Sequence, residues 1–266
     1  MTFLQSFLLG IIQGLTEFIP VSSTAHLLVA QYYMGLDPNN DMLFSFSVLI
    51  QLGTVVALFV FYWRDLLSLF KAFFAKPFSS EENRLAWYIL IATIPALIFG
   101  FFLKHVVQAL FRNFLMEATI RLLTAAALLF LAEWLGKKNR ALYSMTWLDS
   151  LFVGVVQVLA IFPGASRSGT AISGGMFRGF DRPSAARFAF LMAVPVMLAA
   201  GGYEMLDVIQ MPNLGEFLPL LAVGFTTAAV VGWFAIKWLI GYLNKHSLYV
   251  FATYCAVVGI TLFFLK

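Results

Sequence analysis

Charge is scarce in this chain: 11% of its 266 residues are Asp, Glu, Lys or Arg and 61% are hydrophobic. An ordinary soluble domain carries about 25% charged residues, and one of this length has no interior that could hide so much apolar side chain. A soluble fold is therefore excluded. Cysteine is nearly absent as well. The single Cys255 rules out an intrachain disulfide, and neither thiolate-ligand spacing nor a thiol nucleophile motif exists. Apolar sequence begins at Phe3 with no charged region before it and no small-residue cleavage site after it, so the first segment is expected to be retained. The formal charge of +4 is spread over the ends of apolar runs rather than gathered into a stripe, which argues against a nucleic-acid partner.

What is present is apolar sequence in long runs, with mean hydropathy +0.89. Stretches able to span a bilayer, about 20 apolar residues each, lie at 42–62, 85–103, 115–135, 184–203, 217–236 and 248–265. Two further apolar segments, 1–35 and 148–178, break in mid-run at Pro20 and Pro163 into polar tips. Each reads as a short helix, a tip and a second short helix that turns back, a form tolerated only where protein or a water-filled cavity covers the tip. The expectation is an all-α polytopic membrane protein of six transmembrane helices plus two re-entrant helix pairs, forming one domain over 1–266.

Loop charges set the orientation. With the broken segments re-entrant, twelve basic residues (Arg64, Lys71, Lys76, Arg84, Lys137, Lys138, Arg140, Arg178, Arg182, Arg187, Lys237 and Lys245) fall on one side and three (Lys104, Arg112 and Lys266) on the other. The positive-inside rule places the first set in the cytoplasm and both termini outside. Sliding the chain by 144 positions superposes the broken segments, pairing Leu4 with Leu148, Ser6 with Ser150, Gly10 with Gly154 and Gln13 with Gln157. Three spans follow each segment, so the second repeat (148–266) is inverted relative to the first (1–135), an inverted-topology plan in which broken helices meet near the bilayer midplane.

The tips carry the chemistry. The first reads QGLTEFIPVSSTAH over 13–26 and the second FPGASRSGT over 162–170. Ionisable groups inside a membrane are costly unless they face one another or water, and so mark a functional site by default. Helix N-termini with Ser22, Ser23, Thr24, Ser166, Ser168 and Thr170 form a cradle for an oxyanion, most naturally phosphate. Arg167 adds a fixed fork for two phosphate oxygens. Glu17 is suited to hold a divalent cation or to act as a base, His26 to orient a nucleophile or protonate a leaving oxygen, and Ser22 or Ser23 to attack. Glu117 and Arg121, four residues apart, read instead as a structural ion pair.

Those two motifs, together with Gln51 and residues 172–176, resemble the undecaprenyl-diphosphate phosphatases of bacteria, also called bacitracin-resistance proteins, over essentially the whole chain. The resemblance implies hydrolysis of a polyprenyl diphosphate lipid to the monophosphate at the outer side of the bacterial inner membrane, with Mg or Ca as cofactor. It places the metal motif on Gln13 and Glu17, with Glu17 the sole carboxylate, the histidine on His26 and the nucleophile on Ser23. Phosphate binding falls on Gly164, Ser166, Arg167 and Ser168, with Thr170 standing in for a threonine expected one position later. The partners expected are the lipid substrate and membrane lipids, with a homo-oligomer left open. The chief rival is a polyprenyl-phosphate transporter or flippase, since inverted repeats with broken helices are also a transporter plan. An acid-phosphatase class is disfavoured because no Lys-x6-Arg-Pro motif occurs.

Overall fold

The computed structural model describes residues 1–38, 40–110, 113–160, 165–210 and 213–265, apart from the side chains of 101, 103–110 and 207. Among the described residues there are eleven α-helices and no β-strand. Five are long and apolar enough to cross a membrane: α3 (Asp41–Phe61), α5 (Glu81–Leu110, apolar over Glu81–Gly100), α6 (Phe114–Leu135), α9 (Arg182–Val208, apolar over Arg182–Leu206) and α10 (Leu214–Leu243). The sixth apolar run forms α11 (Tyr249–Phe264), whose 16 residues extend about 24 Å at 1.5 Å per residue.

Both broken segments fold as helix pairs: α1 (Phe3–Phe18) with α2 (Ser23–Tyr33), and α7 (Trp147–Val158) with α8 (Arg167–Phe177). Their starts match. Thr2 caps α1 in a capping box with Gln5, and Thr146, 144 positions later, caps α7 in a capping box with Asp149. Their seating matches too. Ser6 donates to the Leu220 carbonyl of α10, and Ser150 to the Tyr88 carbonyl of α5. A Cβ on Gly10 would meet the Gly224 carbonyl, and one on Gly154 the Ala92 carbonyl. Small residues at these crossings let backbones touch, which membrane helices need because lipid gives apolar side chains no reason to leave it.

Residues 64–84, read from sequence as a loop, instead hold the amphipathic helix α4 (Trp63–Phe73) and the start of α5. Only Leu69 of α4 is buried, while Trp63 and Phe70 are exposed, the pattern of a helix lying along an interface. Arg64, Asp65 and Lys71 interrupt the apolar run that would have revealed it.

Many of the basic residues that the charge bias assigns to one side are spent in ion pairs. Glu133 accepts from Arg182, from Lys138 at 3.4 Å (ion pair) and from the Leu248 backbone N–H at 3.0 Å, tying α6, α9 and α11 together. Asp149 accepts from Arg140 at 2.7 Å and Arg178 at 2.6 Å, and Asp65 pairs with Arg187 at 2.8 Å. Burial alone would raise the Asp149 carboxyl, but hydrogen bonds from Arg140, Arg178 and Thr146 hold it well below the usual carboxylate range.

Candidate active site

The two tips meet. Glu17, one residue before the end of α1, is 6% exposed, and three groups converge on its carboxylate. Gln13, one turn earlier on α1, donates through Nε2 to Oε2 at 2.7 Å, and the Ser23 hydroxyl at the start of α2 donates to the same oxygen at 2.7 Å. Oε1 faces Nη1 of Arg167 at 3.6 Å across the gap between the tips. Gln51 on α3 fixes that guanidinium by accepting from its Nη2 at 2.9 Å. Nη1 is buried and has no hydrogen-bond partner among the described residues. A buried donor without a hydrogen bond costs about 1–3 kcal/mol; the 3.6 Å contact with Glu17 offsets part of the charge, and an entering anion would supply the hydrogen bond.

The backbone is strained where it turns. Ser22 lies at φ +68°, a left-handed conformation rare outside glycine, and opens α2 without a side-chain cap. Holding it there costs on the order of 1–3 kcal/mol. His26 supplies part of the hold: its Nδ1 lies 2.8 Å from the Ser22 carbonyl, which can only accept, so Nδ1 carries the proton. Nε2 lies 2.8 Å from the Tyr254 hydroxyl, which can donate to it or accept from it. At the second tip Ser166 caps α8, its Oγ accepting from the Gly169 N–H at 3.2 Å and lying 3.2 Å from the Ser168 hydroxyl.

A polar cleft results, lined by Glu17, Ser22, Ser23 and Thr24 of the first tip, Ser166, Arg167 and Ser168 of the second, and Arg121 of α6. It offers one carboxylate paired with a hydroxyl, two guanidiniums and the N-termini of two helices, a set suited to binding a phosphate and attacking it.

The bacitracin resistance protein family, BacA, matches residues 6–261. The chain belongs to that family. Within it, the chain is 38% identical over 277 residues to a protein of Chloroherpeton thalassium named undecaprenyl-diphosphatase, covering 98% of this chain and 96% of that one. It is 39% identical over 271 residues to a protein of Mycobacterium ulcerans of the same name, covering 100% and 97%. A third of that name, from Myxococcus xanthus, is 38% identical over 268 residues, covering 98% and 88%.

In this member of the BacA family, Glu17, Ser22, Ser23, Thr24, Ser166, Arg167 and Ser168 come together as the sequence suggests, with Gln13 and Gln51 directly behind them. His26 stands apart from the serine hydroxyls, held between the Ser22 carbonyl and Tyr254. Thr170 is fully buried and returns its hydroxyl to the Arg167 carbonyl at 2.9 Å. Gly164 and Pro163 lie outside the described residues. Two participants escape sequence reasoning. Arg121 carried a signal, since an arginine inside a membrane span is functional by default, but its spacing from Glu117 offered a structural explanation first. Tyr254 carried none; a tyrosine in an apolar run is common.

Proposed function

We propose that the chain hydrolyses undecaprenyl diphosphate to undecaprenyl phosphate and inorganic phosphate, returning the lipid carrier to cell-wall synthesis and conferring bacitracin resistance. The observation that carries this reading is the Ser23 hydroxyl bound to Glu17 beside the Nη1 of Arg167, which makes no hydrogen bond among the described residues and only a 3.6 Å ion contact with Glu17. Nucleophile, base and anion receptor stand together, and the names of the relatives favour hydrolysis over transport.

In the reaction, Glu17 takes the Ser23 proton as Oγ attacks the terminal phosphorus. The bond from that phosphorus to the bridging oxygen breaks, and the lipid monophosphate leaves with the bridging electrons. Glu17 passes that proton to the departing lipid phosphate, and the carboxylate so restored deprotonates a water that attacks the phosphoserine; the phosphorus–Oγ bond breaks and Ser23 takes the proton back from Glu17. Arg167 and the helix N-termini hold the equatorial oxygens as charge shifts. Gln13 fixes the carboxylate on the serine, and Gln51 fixes the guanidinium.

The family resemblance also implies a divalent cation. No group of three His, Cys, Asp or Glu side chains occurs among the described residues, but the Gln13 Oε1 is buried and unpartnered beside Glu17. That oxygen pair fits a hard cation such as Mg²⁺, which takes one or two protein oxygens and completes its shell with substrate phosphate and water. Glu17 and Gln13 would hold it, and when bound it would neutralise charge on the diphosphate.

The same reading makes α11 a sixth span, both helix pairs re-entrant, the repeats inverted and the cleft open to the outer side with both termini. The matched caps, serines and glycines of α1 and α7 support the repeat. The test is phosphate release from a polyprenyl diphosphate by purified, folded protein: Glu17→Gln and Arg167→Ala should each abolish it, and normal turnover in either would sink the assignment.

A further inference from the structure

Arg121 lies inside the α6 span with its side chain 12% exposed, yet it lines the same cleft as the serines and Arg167. A guanidinium that merely neutralised a neighbouring carboxylate would spread its two N–H groups over both carboxylate oxygens. Arg121 does not. Its Nε at 2.9 Å and Nη2 at 2.7 Å both end on Oε1 of Glu117, and Nη1 makes no hydrogen bond among the described residues. Glu117 thus grips one edge of the guanidinium and leaves free the Nη1 and Nη2 edge, the one that matches two oxygens of a phosphate.

A diphosphate presents two phosphates, and Arg167 already shares its charge with Glu17. We propose that Arg121 is a second phosphate-binding group of the cleft, one that takes the phosphate remaining on the lipid while Ser23 and Arg167 engage the phosphate being removed. This rests on the hydrolase reading above. When the bond to the terminal phosphorus breaks, the electrons go to the bridging oxygen, which stays with the lipid-linked phosphate. Arg121 projects from a helix separate from both tips and meets that developing charge from a third wall. It then holds the monophosphate product until release.

Two probes separate the subsites: inorganic phosphate, which the Arg167 side should bind, and a polyprenyl monophosphate, which needs Arg121. Removing Arg121 alone would strand Glu117 in the membrane and endanger folding, so the decisive variant is Arg121→Gln combined with Glu117→Gln. In that double variant, inhibition of hydrolysis by the polyprenyl monophosphate should weaken about tenfold or more, the loss expected for a charge-assisted phosphate contact, while inhibition by inorganic phosphate stays unchanged. Glu117→Gln alone keeps Arg121 and should bind the monophosphate at least as tightly as the unaltered protein. The proposal is overturned if the single variant weakens as much as the double, if both probes weaken together, or if monophosphate inhibition does not move. Should the unaltered protein release no phosphate, the hydrolase reading fails first, and direct binding of labelled polyprenyl monophosphate to the same variants makes the same comparison.

Discussion

A serine hydroxyl 2.7 Å from a carboxylate that is itself steered by a glutamine has, on the proposed mechanism, the arrangement of a nucleophile joined to its base and the base to its orienter. Serine attack and attack by a free water part company here. If Ser23 forms the covalent intermediate, Ser23→Ala should lower kcat by at least about 10²-fold, the low end of what such proton transfers contribute, with the protein still folded and the lipid still bound. A rate near that of the unaltered enzyme, in steady-state phosphate release, would transfer the attack to water held by Glu17. Both ring nitrogens of His26 are engaged, one by the strained Ser22 and one by Tyr254, which on the proposed mechanism makes it part of the frame around this pair. Nothing in the 13–26 motif shows that division of labour. The nine residues from Glu17 to His26 place both on one tip, but only the left-handed turn at Ser22 decides which way each side chain points.

Between helices, the glycines decide how close the tips can come. α1 lies on α10 and α7 on α5 through matching contacts, and at Gly154 a Cβ would stand 2.8 Å from the Cα of Ala92 as well as against its carbonyl. Neither backbone can give way cheaply. Gly154→Val should therefore cost about 1–3 kcal/mol, as overpacking does, and lower Tm in detergent measurably. Gly241→Ala is the control, since nothing lies within 4 Å of the added atom and no loss should follow. An equal Tm for the two variants would show that α7 and α5 are not in close contact. The helix pairs themselves were legible in sequence, because Pro20 and Pro163 interrupt apolar runs and the polar residues cluster there. α4 was not, because 11 residues with three charges among them resemble a loop in any window long enough to detect a span.

For the whole molecule, the twelve-to-three imbalance of basic residues predicts a single orientation. It is testable in a Cys255→Ser background: a membrane-impermeant maleimide should label Gly215→Cys on intact cells, and Lys245→Cys only after the membrane is opened. The reverse pattern would invert the topology and turn the cleft inward. Composition and run length alone determined that the chain lives in a bilayer, that two of its helical segments are broken, and that Glu17 and Arg167 belong to the breaks. Those conclusions follow from what a membrane forbids, and that prohibition acts on local sequence. Which groups touch was decided only by tertiary structure. Glu17 and Arg167 are 150 positions apart, and their 3.6 Å approach exists because glycine-seated helices bring the two tips together. Arg121 shows the difference most plainly: its partner four residues away is written in the sequence, whereas the cleft it faces is assembled from α1, α2 and α8, whose placement depends on packing across the whole chain.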